Sequence, residues 1–128
     1  MRTIEEIKIL FVDDNVINQR IASFTVRRYG LVCDFASDGK EAFEMYQKKA
    51  YDLILMDLHM PVMSGFESAT RIRAFEKESE SSHRVHIVAL SASEVSERKG
   101  LCLECGMDDF MEKPFLGEKL IELLNQIR

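Results

Sequence analysis

The stretch "YDLILMDLHMPVMSG" (residues 51–65) decides the fold. From Leu53 to Met56 every position is apolar, with none of the alternation of a strand that has one wet face. Such a run marks a strand buried on both sides, and so a parallel sheet covered above and below. The run stops on Asp57 and turns away at once through Met60 and Pro61. An aspartate at that point is either a turn-former or a placed reagent.

Two neighbouring runs repeat the pattern, "IKILFV" (7–12) and "VHIVAL" (85–90), while "LVCDF" (31–35) and "DDFME" (108–112) read as strands nearer the sheet edges. Helical stretches lie between them. In "NVINQRIASFTVRRYG" Ile17, Ile21 and Phe24 share a face, Asn15 is an N-cap and Gly30 a C′ residue. "SDGKEAFEMYQKKA" groups Ala42, Met45 and Tyr46, and "SGFESATRIRAF" opens at Ser64 and aligns Phe66, Ala69 and Ile72. A fourth stretch (93–106) is loosened by Gly100, which costs about 1 kcal/mol against Ala inside a helix. "GEKLIELLNQIR" closes the chain with Leu120, Leu123, Leu124 and Ile127 on one side. Five strand-then-helix units predict a doubly wound α/β fold with a parallel sheet and helices on both faces. The polar run "EKESESSHR" (76–84) reads as a solvated loop.

At 128 residues, 46% hydrophobic and 30% charged, the chain has the size and composition of one domain spanning residues 1–128. A net charge of -5 argues against a nucleic-acid partner. No run is long enough to cross a bilayer and no signal peptide opens the chain, so a cytoplasmic face is expected. Three cysteines do not make a secreted disulfide scaffold.

Ligands of open parallel sheets sit beyond the carboxyl ends of the strands. There this sequence sets Asp13, Asp14, Asp57, Ser91 and Lys113. Crowded carboxylates repel, which raises a pKa or calls for a cation, and Mg²⁺ is the hard ion suited to oxygen ligands. One carboxylate can then attack phosphorus and become an aspartyl phosphate. A lysine and a hydroxyl have work beside it, because the transferred group carries negative charge on three oxygens.

"FVDDN" (11–15), "LILMDLHMPVMSG" (53–65), "ALSAS" (89–93) and "FMEKPF" (110–115) resemble the four motifs of the receiver domain of two-component response regulators, in the family's order. The resemblance implies a flavodoxin-like strand order 2-1-3-4-5, Asp57 as phosphoacceptor, and Mg²⁺ held by Asp13, Asp14, Asp57 and the backbone carbonyl of His59. It implies Ser91 and Phe110 as switch residues, Lys113 as the phosphate-binding lysine, and a cis bond between Lys113 and Pro114. His59 and Ser93 stand at positions that tune hydrolysis in the family; lacking a carboxamide or carboxylate, they imply a longer-lived phosphoryl group. The implied partner is a histidine kinase or a histidine phosphotransfer protein. "VDDNVINQR" (12–20), with Asn18 and Gln19, is most similar to receivers of hybrid histidine kinases. No output domain follows the last helix here, so a stand-alone regulator or a receiver excised from a larger kinase is expected.

Two rival readings come from other classes. Cys102 and Cys105 form a C-x-x-C pair that, with His83 and His86, could make a zinc or redox module. The pair closes a helix instead of opening one, which favours structural cysteines. A phosphatase of the haloacid dehalogenase type would use Asp13 as nucleophile with Asp108 and Asp109 as an acidic pair. Those two fall at the amino end of the fifth strand, and Asn15 stands where that family needs an aspartate.

Overall fold

The computed structural model describes residues 3–58, 60, 62–79, 83–91, 104–112 and 117–127, the side chains of Ser91 and Glu112 excepted. After a 3-10 turn (Ile4–Glu6) come β1 (Lys8–Val12), α1 (Val16–Arg28), β2 (Val32–Ala36) and α2 (Gly39–Lys48). Then follow β3 (Leu53–Asp57), α3 (Gly65–Glu78), β4 (His86–Ser91), β5 (Asp109–Glu112) and a C-terminal helix (Gly117–Ile127). The five strands form one parallel sheet in the order β2-β1-β3-β4-β5. This is the order implied by the resemblance.

The strand pleat splits the core in two. Leu10, Val12, Ile54 and Met56 pack with Ala42 and Tyr46 of α2 and with Ala69 and Ile72 of α3. Their neighbours Ile9, Phe11, Leu53 and Leu55 face the opposite way, onto Ala22 and Val26 of α1 and Leu120, Leu123 and Leu124 of the C-terminal helix. Both faces are therefore dry, which is why β3 tolerates no polar residue before Asp57. The helix ends are marked by the expected groups. Asn15 accepts hydrogen bonds from the N–H of Ile17 and Asn18, Ser64 from that of Glu67, and Gly30 has φ +70.

Two expectations are corrected. The Ile17, Ile21 and Phe24 face of α1 does not pack on the sheet: Ile17 is 67% and Phe24 75% exposed. The rotation of α1 is set instead by Asn18, Gln19, Ala22 and Val26, spaced i, i+1, i+4 and i+8. The two amides reach Asp13, and the two apolar side chains are buried beneath the helix. The second correction falls in the polar run 76–84. α3 continues to Glu78, and Glu76 is buried, with its carboxylate accepting from the Tyr46 hydroxyl (2.6 Å), the Val85 N–H (2.8 Å) and Arg73 (2.8 Å). A glutamate on the helix face toward the sheet is kept there by satisfying both oxygens. Residues 80–82, and 93–103 of the fourth helical stretch with Gly100, lie outside the described residues.

Candidate functional site

Strand register brings the acidic residues together. Val12 pairs with Met56 and Asp57 with Leu90, so the residues that leave β1, β3 and β4 emerge side by side at one end of the sheet. One carboxylate oxygen each from Asp13, Asp14 and Asp57 lie within 4.8 Å of one another. Asp13 is fully buried and Asp57 is 7% exposed, while Asp14 opens to solvent. Three hard oxygen donors, two of them withdrawn from water, match what a small divalent cation requires.

Each carboxylate is held by its element. The Asp13 oxygens accept from the Asn15 N–H (2.9 Å) and the Asn18 side-chain amide (3.0 Å). Gln19 donates to the Asp13 main-chain carbonyl at 2.7 Å. In the sequence Asn18 and Gln19 stand out only by their likeness to a motif. Their contact with Asp13 is set by the i, i+5 and i, i+6 reach across the β1–α1 turn, which no periodicity reports.

Asp57 is fixed from behind by the turn into α3. Gly65 donates to the Leu58 carbonyl (3.2 Å), and a Cβ at position 65 would meet the Asp57 carbonyl at 2.3 Å. Only glycine allows the helix to start that close to the strand end. Ser68 of α3 in turn donates to the Gly39 carbonyl (2.8 Å), which locks the start of α2 to α3.

Of the other expected site residues, Ser91 ends β4 one position past the partner of Asp57, opposite Glu112. Its side chain, His59, Ser93, Lys113 and Pro114 lie outside the described residues. Phe110, on β5, pairs with Ala89 of β4 and is half-buried against the α2 and α3 core.

The rival sites do not assemble among the described residues. The metal-capable cluster found there is Asp13, Asp14 and Asp57, without His83, His86 or Cys105. Cys105 packs half-buried against the core, and Cys102 lies outside the described residues. Burial, with the charge of Asp34 beside it, pushes the Cys33 thiol up to about 12, which leaves it protonated and inert. Asp108 accepts from the N–H of Ile87, at the start of β4, and so sits at the far end of the sheet from Asp57.

That far end carries a network invisible in the sequence. Arg73 of α3 donates to the Gly106 and Val85 carbonyls (2.8 Å each), to Glu76 (2.8 Å) and to Asp108 (2.7 Å). Arg84 adds a second cation to Asp108. Burial pushes the Asp108 carboxyl up, but the Ile87 N–H, the Arg84 hydrogen bond and the charges of Arg73 and Arg84 together hold it below the usual range.

The same architecture occurs in known proteins. Hybrid signal transduction histidine kinase F of Dictyostelium discoideum is 40% identical over 119 residues, which make up 93% of this chain and 11% of that protein. The chain thus spans about a tenth of that relative's length. The receiver domain of Saccharomyces cerevisiae Ssk1, solved with the histidine phosphotransfer protein Ypd1, superposes with a TM-score of 0.88 at 35% identity, over 98% of this chain and 91% of that one. The receiver domain of a sensor histidine kinase from Pseudomonas aeruginosa, with magnesium in its active-site cleft, gives 0.81 at 34% identity, over 94% and 95% of the two chains. The model of the response regulator receiver domain matches residues 9–125. A match that runs from within β1 into the C-terminal helix takes in residues of all five strands and the acidic cluster, and the chain belongs to the response regulator receiver domain family.

Proposed function

We propose that this chain is a phosphoryl-accepting switch in which Asp57 is the nucleophile. The observation that carries the reading is the position of Asp57: the last residue of the central strand, nearly buried, with an oxygen within 4.8 Å of those of Asp13 and Asp14. An Asp57 oxygen attacks the phosphorus of a phosphohistidine; the O–P bond forms as the P–N bond breaks, and the imidazole leaves with the bonding pair and takes up a proton. Asp13, Asp14, Asp57 and the His59 carbonyl would hold Mg²⁺. When bound, Mg²⁺ neutralises charge on the transferred oxygens. Lys113 pairs with one of those oxygens and the Ser91 hydroxyl donates to another, and Phe110 follows Ser91 inward. By the resemblance, the output would be read on a face to which the fourth helical stretch, β5 and the C-terminal helix contribute.

The donor is a histidine phosphotransfer protein or a histidine kinase, and the parent protein a hybrid histidine kinase. The Ssk1 complex with Ypd1 and the identity to a hybrid kinase support this. So does α1. Its exposed Val16, Ile17, Ile21 and Phe24 form an apolar stripe beside the acidic site, flanked by Arg20, Arg27 and Arg28. A stripe of this kind marks a docking surface. Phe24→Ala should slow transfer from a phosphotransfer protein by about 30-fold, the size of an interface anchor worth about 2 kcal/mol. Labelling by acetyl phosphate should not change, since Phe24 touches neither the core nor the acidic cluster. Equal slowing with both donors would contradict the docking role.

The test of the chemistry is labelling by acetyl phosphate. Covalent phosphate should accumulate to one per chain with Mg²⁺ and fall to background when EDTA removes the cation. Undiminished labelling in EDTA would contradict the reading.

A further inference from the structure

Asp13 is a fully buried carboxylate whose two oxygens are gripped by the N-cap and first turn of α1, through the Asn15 N–H at 2.9 Å on Oδ1 and the Asn18 amide at 3.0 Å on Oδ2. The next residue, Gln19, spans from helix to sheet. Its amide reaches the Asp13 carbonyl at 2.7 Å and the Ala36 carbonyl at 3.4 Å, the latter already accepting the Asp13 N–H at 3.1 Å. The side-chain torsion of an aspartate is broad and roughly two-fold, so packing alone does not fix the plane of its carboxylate. Crowding by Asp14 and Asp57 would turn that plane away from them. A neutral amide resists the turn without supplying a positive charge that competes with a cation. A lysine or arginine in its place would form an ion pair with Asp13 and weaken the site.

We infer that Asn18 is a positioning residue for the cation, holding the Asp13 carboxylate in the orientation that a divalent ion requires, with Gln19 fixing the backbone of the same residue. This rests on the reading of Asp13, Asp14 and Asp57 as a cation site. Groups that orient a metal ligand without touching the metal typically change affinity by about 10- to 100-fold when removed. A carboxylate offers roughly four acceptor directions, so two hydrogen bonds leave it able to serve as a ligand.

The experiment uses the full chain and Mn²⁺ followed by electron paramagnetic resonance, together with the Mg²⁺ dependence of labelling by acetyl phosphate. In Asn18→Leu, which keeps the branched shape and loses the donor, the Mn²⁺ dissociation constant should rise by about 10- to 100-fold. The Mg²⁺ concentration for half-maximal labelling should rise by the same factor, while the rate at saturating Mg²⁺ returns to that of the parent. Gln19→Leu should move both in the same direction by less. A merely structural role would lower the folded fraction and leave the half-maximal Mg²⁺ concentration where it was, which would overturn the inference. If Asn18→Leu does not fold, Asn18→Ala is read by the same two quantities. Variants that bind Mn²⁺ as tightly as the parent overturn this inference and leave the cation site standing; a parent that binds no Mn²⁺ overturns both.

Discussion

Asp57→Asn should take up no phosphoryl group from acetyl phosphate and Mg²⁺ under conditions in which the parent chain takes up one that is labile to base and hydroxylamine. The substitution keeps the shape of the side chain and removes the attacking oxyanion, so the loss is chemical. It should not unfold the protein. Asp57 shares its end of the sheet with Asp13 and Asp14, and replacing one of three crowded carboxylates by a neutral amide relieves repulsion in the metal-free chain. The melting temperature in EDTA should therefore hold or rise. Loss of labelling with loss of fold would leave the nucleophile unassigned; full labelling of a folded variant would refute the assignment outright.

The second large effect lies at the other end of the sheet and concerns stability. Arg73→Ala should cost about 3–5 kcal/mol, the usual result of removing one partner from a buried ionic network, and lower the melting temperature by roughly 10–20 °C. Arg73 is the hub: its guanidinium binds Glu76 one turn further along α3 and joins that helix to Asp108 before β5 and to the Val85 and Gly106 carbonyls. Arg73→Lys should recover only part of the loss, since an ammonium cannot span four acceptors in one plane.

The network also sets an acid dependence. The carboxyl of Asp108 lies below its ordinary value of 3.8 in the folded chain, so its contribution is complete above that value and is lost as pH falls through it toward the folded pKa. Asp34 adds to the same trend, held low first by the Tyr51 hydroxyl and then by Lys49. The gap in melting temperature between parent and Arg73→Ala should accordingly be wide at pH 7 and narrower at pH 3. A constant gap, or a variant melting within a few degrees of the parent at pH 7, would show that the network does not bind α3 to the sheet.

These two ends differ in how far the sequence revealed them. The strands were legible because both-face burial writes itself as the unbroken apolar runs of β1, β3 and β4. Asp13, Asp14 and Asp57 could be grouped because a parallel sheet brings all its carboxyl ends to one edge. What escaped depended on rotation and on distant pairing. α1 carries two apolar stripes, and periodicity does not say which faces inward; the amides of Asn18 and Gln19, reaching for Asp13, decide it. Glu76 looked like one more charge in a solvated run, because Arg73 is a local i,i+3 partner of the kind exposed helix faces carry, while Tyr46 and the Val85 N–H come from elements that only the fold brings to it. Asp108 was placed at the correct end of β5 from the sequence, but its bonds to Arg73 and Arg84 span 35 and 24 residues.

The central claim is that Asp57, and no other carboxylate of the cluster, carries the phosphoryl group. The direct measurement is reduction of the labelled chain with sodium borohydride, which converts an aspartyl phosphate to homoserine, followed by peptide mapping. Homoserine at position 57 alone is the predicted result. Homoserine at position 13, the nucleophile a phosphatase of the haloacid dehalogenase type would use, would contradict it.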